Sequence, residues 1–163
     1  WMIGWARVPF DPRWAEQYPR RAAWMALAGP AANFTLMLLA AAGIRTGMAF
    51  GSLAAPEVIR FPMVTVATQP SGDFVATFLS VMFVLNLVLG IFNLLPVPPL
   101  DGHAGITLLM PERVAARFLE ATRDGTFQVA GLVLAWYAFG YVFRPVFLTA
   151  LNLLYPGAGY GGG

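Results

Sequence analysis

The hydrophobic positions of this chain fall into three long stretches that carry almost no charge. Residues 22–44 and residues 74–100 contain no charged side chain, and Arg144 is the one charge in the third stretch, residues 126–150. A helix needs about 20 apolar residues to cross a bilayer whose hydrocarbon core is roughly 30 Å thick. The pattern therefore predicts an all-α membrane protein, a polytopic helical bundle with about three transmembrane helices.

More polar segments divide the chain around these stretches. Residues 1–21 combine arginines, prolines and tryptophans, as is typical of the membrane headgroup zone, and are predicted to form a cytoplasmic juxtamembrane segment. Residues 22–155 form the predicted transmembrane domain, and the glycine-rich residues 156–163 form a flexible tail. Arg144 leaves two interpretations of the third stretch: one long helix whose arginine reaches the interface, or a span followed by an interfacial helix.

The two segments that connect the spans differ in character. Residues 110–126 are the most charged part of the chain, which predicts an amphipathic helix at the surface. Residues 45–73 contain prolines, glycines and few charges, which favours a plain connecting loop. A β-prone piece at residues 63–68 keeps a second interpretation open, a strand or re-entrant hairpin that pairs with an extended substrate.

Arginines are distributed unevenly over the segments outside the spans. Four precede the first span and three lie between the second and third spans, whereas two lie between the first and second. Cytoplasmic segments of membrane proteins are enriched in positive charge. Residues 1–21 and 101–125 are therefore predicted to lie in the cytoplasm.

Composition excludes several kinds of site. Of the 163 residues, 58% are hydrophobic and 11% are charged, which is typical of an integral membrane protein. The chain has no cysteine, so any metal must be held by carboxylate, imidazole or backbone oxygen. The net charge of +2 is small and scattered, so no nucleic-acid partner is expected.

The most informative stretch ends the second apolar run. Pro96, Pro98 and Pro99 remove backbone donors and cannot continue a helix, and Asp101 follows them. Broken backbone at membrane depth is tolerated where it is buried in protein or lines a wet cavity, and an ionisable group there indicates a functional site. The alternative is a cytoplasmic turn that ends the helix, with Asp101 solvated and Gly102 at a positive φ.

The order of residues around this break resembles a known signature, the N-x-x-P-x-P-x-L-D-G motif of the site-2 protease family of intramembrane zinc metalloproteases. The fixed positions are matched by Asn93, Pro96, Pro98, Leu100, Asp101 and Gly102. Residues 4–9 and 11–13 resemble the family's G-W-A-K-P-V-P and N-P-R patterns. The stretch containing Gly29, Pro30 and Asn33 is similar to the family's A-G-P-l-a-N motif.

The resemblance implies a role for each matched motif. Asp101 would be the third zinc ligand, and Asn93 would position the substrate or stabilise the oxyanion. Pro96 and Pro98 would open the helix, so that the aspartate reaches the metal and a substrate strand approaches. Considered alone, residues 29–33 indicate a helix-packing surface with no catalytic role. The resemblance implies that they pack against the metal-bearing helices.

Two zinc ligands that the family uses are not found in this sequence. The family's H-E-x-x-H motif, two histidines with a glutamate as general base, is absent, and the single histidine is His103. His103 is a less favoured ligand, because the family's two histidine ligands come from a helix that precedes the position of Trp1. The chain is therefore expected to be the C-terminal part of a longer enzyme.

Three functions from different classes remain. The first is an intramembrane zinc protease of a prokaryotic cell membrane, with its metal near the cytoplasmic face and with transmembrane protein substrates and membrane lipid as partners. The second is a catalytically inactive relative, a membrane scaffold that binds helices without cleaving them. The third, a transporter, is the least favoured, because no second broken helix is found in a matching place. The sequence predicts no oligomeric state.

Overall fold

Three long apolar helices frame the molecule. The computed structural model describes residues 12–160, and within them Pro19–Ala49, Pro70–Asn93 and Gly125–Leu154 are long and apolar enough to cross a membrane. The predicted all-α polytopic bundle is thereby confirmed. Predictions that concern residues 1–11 and 161–163 lie outside the described residues.

The elements follow one another in a simple order. The helices are α1 (Pro12–Gln17), α2 (Pro19–Ala49), α3 (Asp73–Asn93), α4 (Asp101–Gly105), α5 (Glu112–Ala121) and α6 (Gly125–Leu154). The strands β1 (Leu53–Ala54) and β2 (Val66–Ala67) lie between α2 and α3, and 3-10 turns occupy Pro70–Gly72 and Ile106–Leu109.

The long helices differ from the predicted spans at their ends. α2 and α6 extend beyond residues 22–44 and 126–150, because hydropathy marks only the part of a helix that lies in hydrocarbon. α3 stops at Asn93 and not at residue 100, because prolines follow. α6 runs unbroken through Pro145, so one long helix is the correct interpretation of the third stretch.

The main core lies between α2 and α3, with the end of α6 packed onto it. Its buried side chains include Ala40, Ile44, Phe83, Val84, Leu87, Ile91, Leu151 and Leu154. Gly90 lets the two helices approach closely, since a Cβ there would lie 3.0 Å from Phe34 Cζ. This helix pair is the base on which the shorter elements are placed.

The segment between α2 and α3 is a small hairpin, so the plain loop favoured from the sequence is wrong. β1 and β2 pair antiparallel, with Leu53 opposite Ala67. Ser80 Oγ on α3 accepts hydrogen bonds from the backbone N–H groups of Val64 (3.2 Å) and Thr65 (3.1 Å). The hydroxyl of Tyr155 donates to the Val64 carbonyl at 2.7 Å. These contacts give backbone N–H and C=O groups the hydrogen-bond partners that they lack among their neighbours in sequence.

Charged and polar segments lie at both ends of the bundle. The motif end is the end of the bundle formed by α1, α4, α5 and the first turns of α2 and α6. There, the exposed side chains of Arg20 and Glu112 form an ion pair at 3.5 Å. The opposite end, with β1, β2 and the last turns of α2 and α6, is the hairpin end. There, Arg45 donates to the Leu154 carbonyl at 3.2 Å. The hydroxyl of Tyr160, a residue of the predicted flexible tail, donates to Pro56 O at 2.6 Å.

Candidate metal-binding site

The predicted break after α3 is present and consists of tight turns. Residues 94–100, which we call the break loop, join α3 to α4. Val97 N–H donates to Leu95 O at 2.8 Å, and Leu100 N–H donates to Val97 O at 3.0 Å. Short-range bonds of this kind replace the helical bonds that the prolines remove. The chain then turns directly into α4, whose first residue is Asp101.

Gly102 holds α4 against the end of α3. A Cβ on Gly102 would overlap the Leu94 carbonyl oxygen and would lie 2.6 Å from Leu95 O. Gly102 lies inside a helix and is not among the residues with positive φ. The positive φ that belonged to the alternative, a turn that ends the helix, is therefore not found, and the glycine is needed for space.

Helix α6 supports the break loop from the other side. A Cβ on Gly131 would overlap the carbonyl oxygen of Pro98. One turn later, Ala135 is buried in a small cluster with Leu95 and Leu100. The sequence reasoning missed Gly131 and Ala135, although two small residues at i and i+4 in an apolar helix are a recognisable sign of close packing.

Asp101 lies directly against helix α2. A Cβ on Gly29 would be 2.9 Å from Asp101 Oδ2, so the structure brings two separate sequence motifs together. The Asp101 side chain is half-buried, and burial raises the pKa of its carboxyl group. Within residues 12–160 it makes no hydrogen bond or ion pair. A carboxylate in such a setting favours a metal or a proton as its partner.

The other predicted site residues flank this contact. Pro30 is buried next to Gly29, and Asn33 lies one turn further along α2, half-buried. Asn93 is the last residue of α3 and is also half-buried. Neither asparagine side chain forms a hydrogen bond with another described residue, so both amides are available to a ligand.

His103 connects α4 to α5. The residue is 8% exposed, and its ring packs on Phe118 with 4.7 Å between the ring centroids. His103 Nε2 lies 2.8 Å from Thr122 Oγ1, which donates its own proton to Phe118 O at 2.7 Å. Nε2 is thus paired with the Thr122 hydroxyl, and burial lowers the pKa of the imidazole. Only Nδ1 would be left for a metal, so this geometry favours a packing role.

A cavity of about 530 Å³ reaches Asp101 from the motif end. Its lining is mostly apolar and comes from the first turns of α2, the break loop, α4, α5 and the start of α6. Met25, Pro98 and Leu119 belong to this lining, and so do the polar residues Thr122 and Gln128. Asp101 is thus exposed to a space large enough for water and a peptide segment.

The donor set of the described residues is incomplete for zinc. Residues 12–160 contain no group of three or more histidine, cysteine, aspartate or glutamate side chains that could hold a metal. A catalytic zinc site normally uses three protein ligands. Asp101 fits one of these positions, because no other described residue binds its carboxylate, and the described residues do not supply the other two ligands.

Most of the chain matches a known group of peptidases. The model of peptidase family M50 matches residues 6–138. The chain is also similar to "Putative zinc metalloprotease YwhC" of Bacillus subtilis (strain 168), with 32% identity over 124 residues, which are 76% of this chain and 51% of that protein. It thus spans about half the length of this curated relative. No solved structure matches the chain.

Proposed function

Because the chain belongs to peptidase family M50, we propose that it is the C-terminal portion of an intramembrane zinc metalloprotease. The full-length enzyme would hydrolyse peptide bonds in or near the transmembrane segments of other membrane proteins. The observation that carries the proposal is the placement of Asp101: a carboxylate with no polar partner among residues 12–160, at a break in a membrane helix, facing a cavity.

Asp101 is the proposed zinc ligand of this part of the enzyme. The remaining ligands would come from an H-E-x-x-H helix that precedes Trp1, as the resemblance to the site-2 proteases implies. Zinc, when bound, would supply Lewis-acid activation of water and of the scissile carbonyl. Gly29 would help to fix the carboxylate by leaving room for it against α2, and Gly102 by letting the start of α4 pack on the end of α3.

The polar groups beside Asp101 would handle the substrate. The amide of Asn93 can donate a hydrogen bond to a substrate carbonyl or to the developing oxyanion. The break loop would keep the end of α3 open, so that an unwound substrate segment can enter, and the cavity at the motif end would admit water to the carboxylate.

The site would lie near the cytoplasmic face of a prokaryotic cell membrane. Among the described residues, Arg20, Arg21, Arg113, Arg117 and Arg123 lie at the motif end, whereas Arg45, Arg60 and Arg144 lie toward the hairpin end. This excess of positive charge supports a cytoplasmic motif end. Membrane proteins would then be cut close to the cytoplasm.

The test compares Asp101→Asn with Asp73→Asn in the full-length protein. Asp73 is an exposed carboxylate at the start of α3, at the hairpin end, and serves as the matched control. We expect Asp101→Asn to lose most of the bound zinc, measured by elemental analysis, and cleavage of a transmembrane reporter. Asp73→Asn should retain both.

Two results would contradict the proposal. Full zinc occupancy in Asp101→Asn would remove Asp101 from the metal site. A full-length protein that binds zinc but cleaves no transmembrane reporter would instead support the inactive scaffold, the alternative function that the sequence leaves open.

A further inference from the structure

Two contacts fix the height of α6 beside the other long helices. Phe139 packs edge-on against Phe92, near the motif end of α3, with 5.5 Å between ring centroids. Toward the hairpin end, Arg45 of α2 donates to the Leu154 carbonyl. Arg144 follows Phe139 by five residues and precedes Leu154 by ten, which are about 8 Å and about 15 Å of helix at about 1.5 Å per residue. Arg144 therefore lies beside the middle of the α3 span, inside the hydrocarbon core.

An arginine at this depth needs a partner. A charge in hydrocarbon is costly, and ionisable groups inside a membrane almost always pair with one another or face a water-filled cavity. The side chain of Arg144 is exposed, and it forms no ion pair or hydrogen bond with another of residues 12–160. A group that neutralises it must therefore reach the middle of α6.

A second cavity, of about 450 Å³, brings one acidic residue to this part of α6. The cavity lies between residues 57–61, which follow β1, and the second half of α6. Among the described residues that line it, Glu57 and Arg144 are the two that carry charge. Glu57 is exposed as well, and its carboxylate has no ion pair or hydrogen bond within the described part of the chain. Two opposite charges without partners therefore share one space.

Residues 57–61, which we call the re-entrant loop, extend into the membrane along α6. The residue before the loop is anchored, because the Tyr160 hydroxyl donates to Pro56 O at 2.6 Å. At the other end of the loop, Phe61 packs edge-on against Phe143, with 6.5 Å between ring centroids. Phe143 directly precedes Arg144, so the loop reaches the depth of the arginine.

We propose that Glu57 and Arg144 form an ion pair inside the membrane, which latches the re-entrant loop onto α6. Both side chains are long and line the same cavity, so their rotation closes the space between them. The pair neutralises two charges that hydrocarbon disfavours, and the planar guanidinium is suited to a carboxylate. When the pair is broken, the loop is held by the contacts at its ends alone.

Hydrogen exchange on the full-length protein in lipid nanodiscs measures how firmly the loop is held. The reporters are the three N–H groups that follow the loop. Met63 N–H donates to Arg60 O, and the N–H groups of Val64 and Thr65 donate to Ser80 Oγ. Loosening of the loop exposes these groups to water more often and speeds their exchange.

A double-mutant cycle tests the pair. Glu57→Gln and Arg144→Gln should each raise the exchange rate about tenfold, for the loss of one charge-assisted contact. The double variant should also show about tenfold and not about a hundredfold, because its second substitution removes a group that has already lost its partner. The reversed pair, Glu57→Arg with Arg144→Glu, should return exchange toward the original rate. Arg60→Gln is the matched control, because Arg60 is exposed on the same loop and does not line the cavity.

The proposal is overturned if the two single effects multiply in the double variant, or if neither single variant changes exchange. It is also overturned if Arg60→Gln speeds exchange as much as Arg144→Gln does. Exchange within α2 and α3 shows whether a variant is folded. The reversed pair keeps both charges, so a rate as fast as in the single variants would overturn the proposal even if a single variant disturbs the fold. None of these outcomes depends on Asp101 or on proteolysis.

Discussion

The contact between Gly29 and Asp101 yields a prediction that separates metal binding from folding. In Gly29→Ala the new methyl group would lie 2.9 Å from Asp101 Oδ2, whereas ordinary contacts begin at 3.4 Å. The carboxylate must therefore retreat by about 0.5 Å, the difference between these two distances. Metal–ligand distances tolerate only about 0.2 Å.

The same substitution has two opposing effects on stability. Overpacking at a filled position lowers the free energy of unfolding by about 1–3 kcal/mol. Alanine in place of glycine inside a helix raises it by about 0.5–1 kcal/mol. Asp101 is half-buried beside a cavity, so its side chain can move, and we expect the cost to lie at the lower end. The melting temperature should therefore change little. Zinc affinity should fall about 10- to 100-fold, as is typical when the support of a ligand is disturbed.

Chelator competition on the full-length protein measures the zinc affinity, and thermal unfolding in detergent measures stability. Gly140→Ala is the matched control: it lies inside α6, and a Cβ there meets nothing within 4 Å. It should leave zinc affinity unchanged. Unaltered zinc affinity in Gly29→Ala would refute the argument that close packing on α2 positions the carboxylate.

Two further substitutions test the supports of the fold. Gly131→Leu should displace the break loop, because its Cβ overlaps the Pro98 carbonyl. We expect the free energy of unfolding, followed by thermal unfolding, to fall by roughly 1–3 kcal/mol and zinc binding to weaken. Gly140→Leu should show neither effect. Ser80→Ala removes the acceptor of two buried hairpin N–H groups, which should cost about 1–3 kcal/mol and speed hydrogen exchange at Val64 and Thr65 without altering zinc affinity. This assignment would be contradicted if hydrogen exchange became faster at the motif end, or if it did not become faster at the hairpin.

Local patterns in the sequence predicted the helices and the break. Runs of apolar residues report which segments enter hydrocarbon, and the prolines after Asn93 report where a helix must stop, so both features depend on neighbouring residues alone. The hairpin was only the second interpretation of residues 45–73, because its hydrogen bonds go to Ser80 on α3 and to Tyr155, which directly follows α6. Such partners are distant in sequence and leave no periodic signal.

The candidate site was predicted in part. The motif identified Asp101, but hydropathy carries no information about the rotation of one helix against another. It therefore could not reveal that Oδ2 faces Gly29, or that Gly131 supports the loop from α6. His103 was considered as a ligand because it is close to Asp101 in sequence, whereas the fold directs its Nε2 to Thr122.

Positioning by close packing follows from what a metal ligand requires. A metal ligand needs support from its surroundings, which hydrogen bonds commonly provide; within residues 12–160 the carboxylate of Asp101 has no such bond. Two glycines instead remove side chains close to Asp101: Gly29 leaves room for Oδ2 against α2, and Gly102 lets the start of α4 approach the carbonyl groups of Leu94 and Leu95. Backbone contacts of this kind restrict where the carboxylate can lie and leave its oxygens free. The proposed role as a zinc ligand therefore accounts both for a carboxylate that makes no polar contact within residues 12–160 and for the glycines beside it.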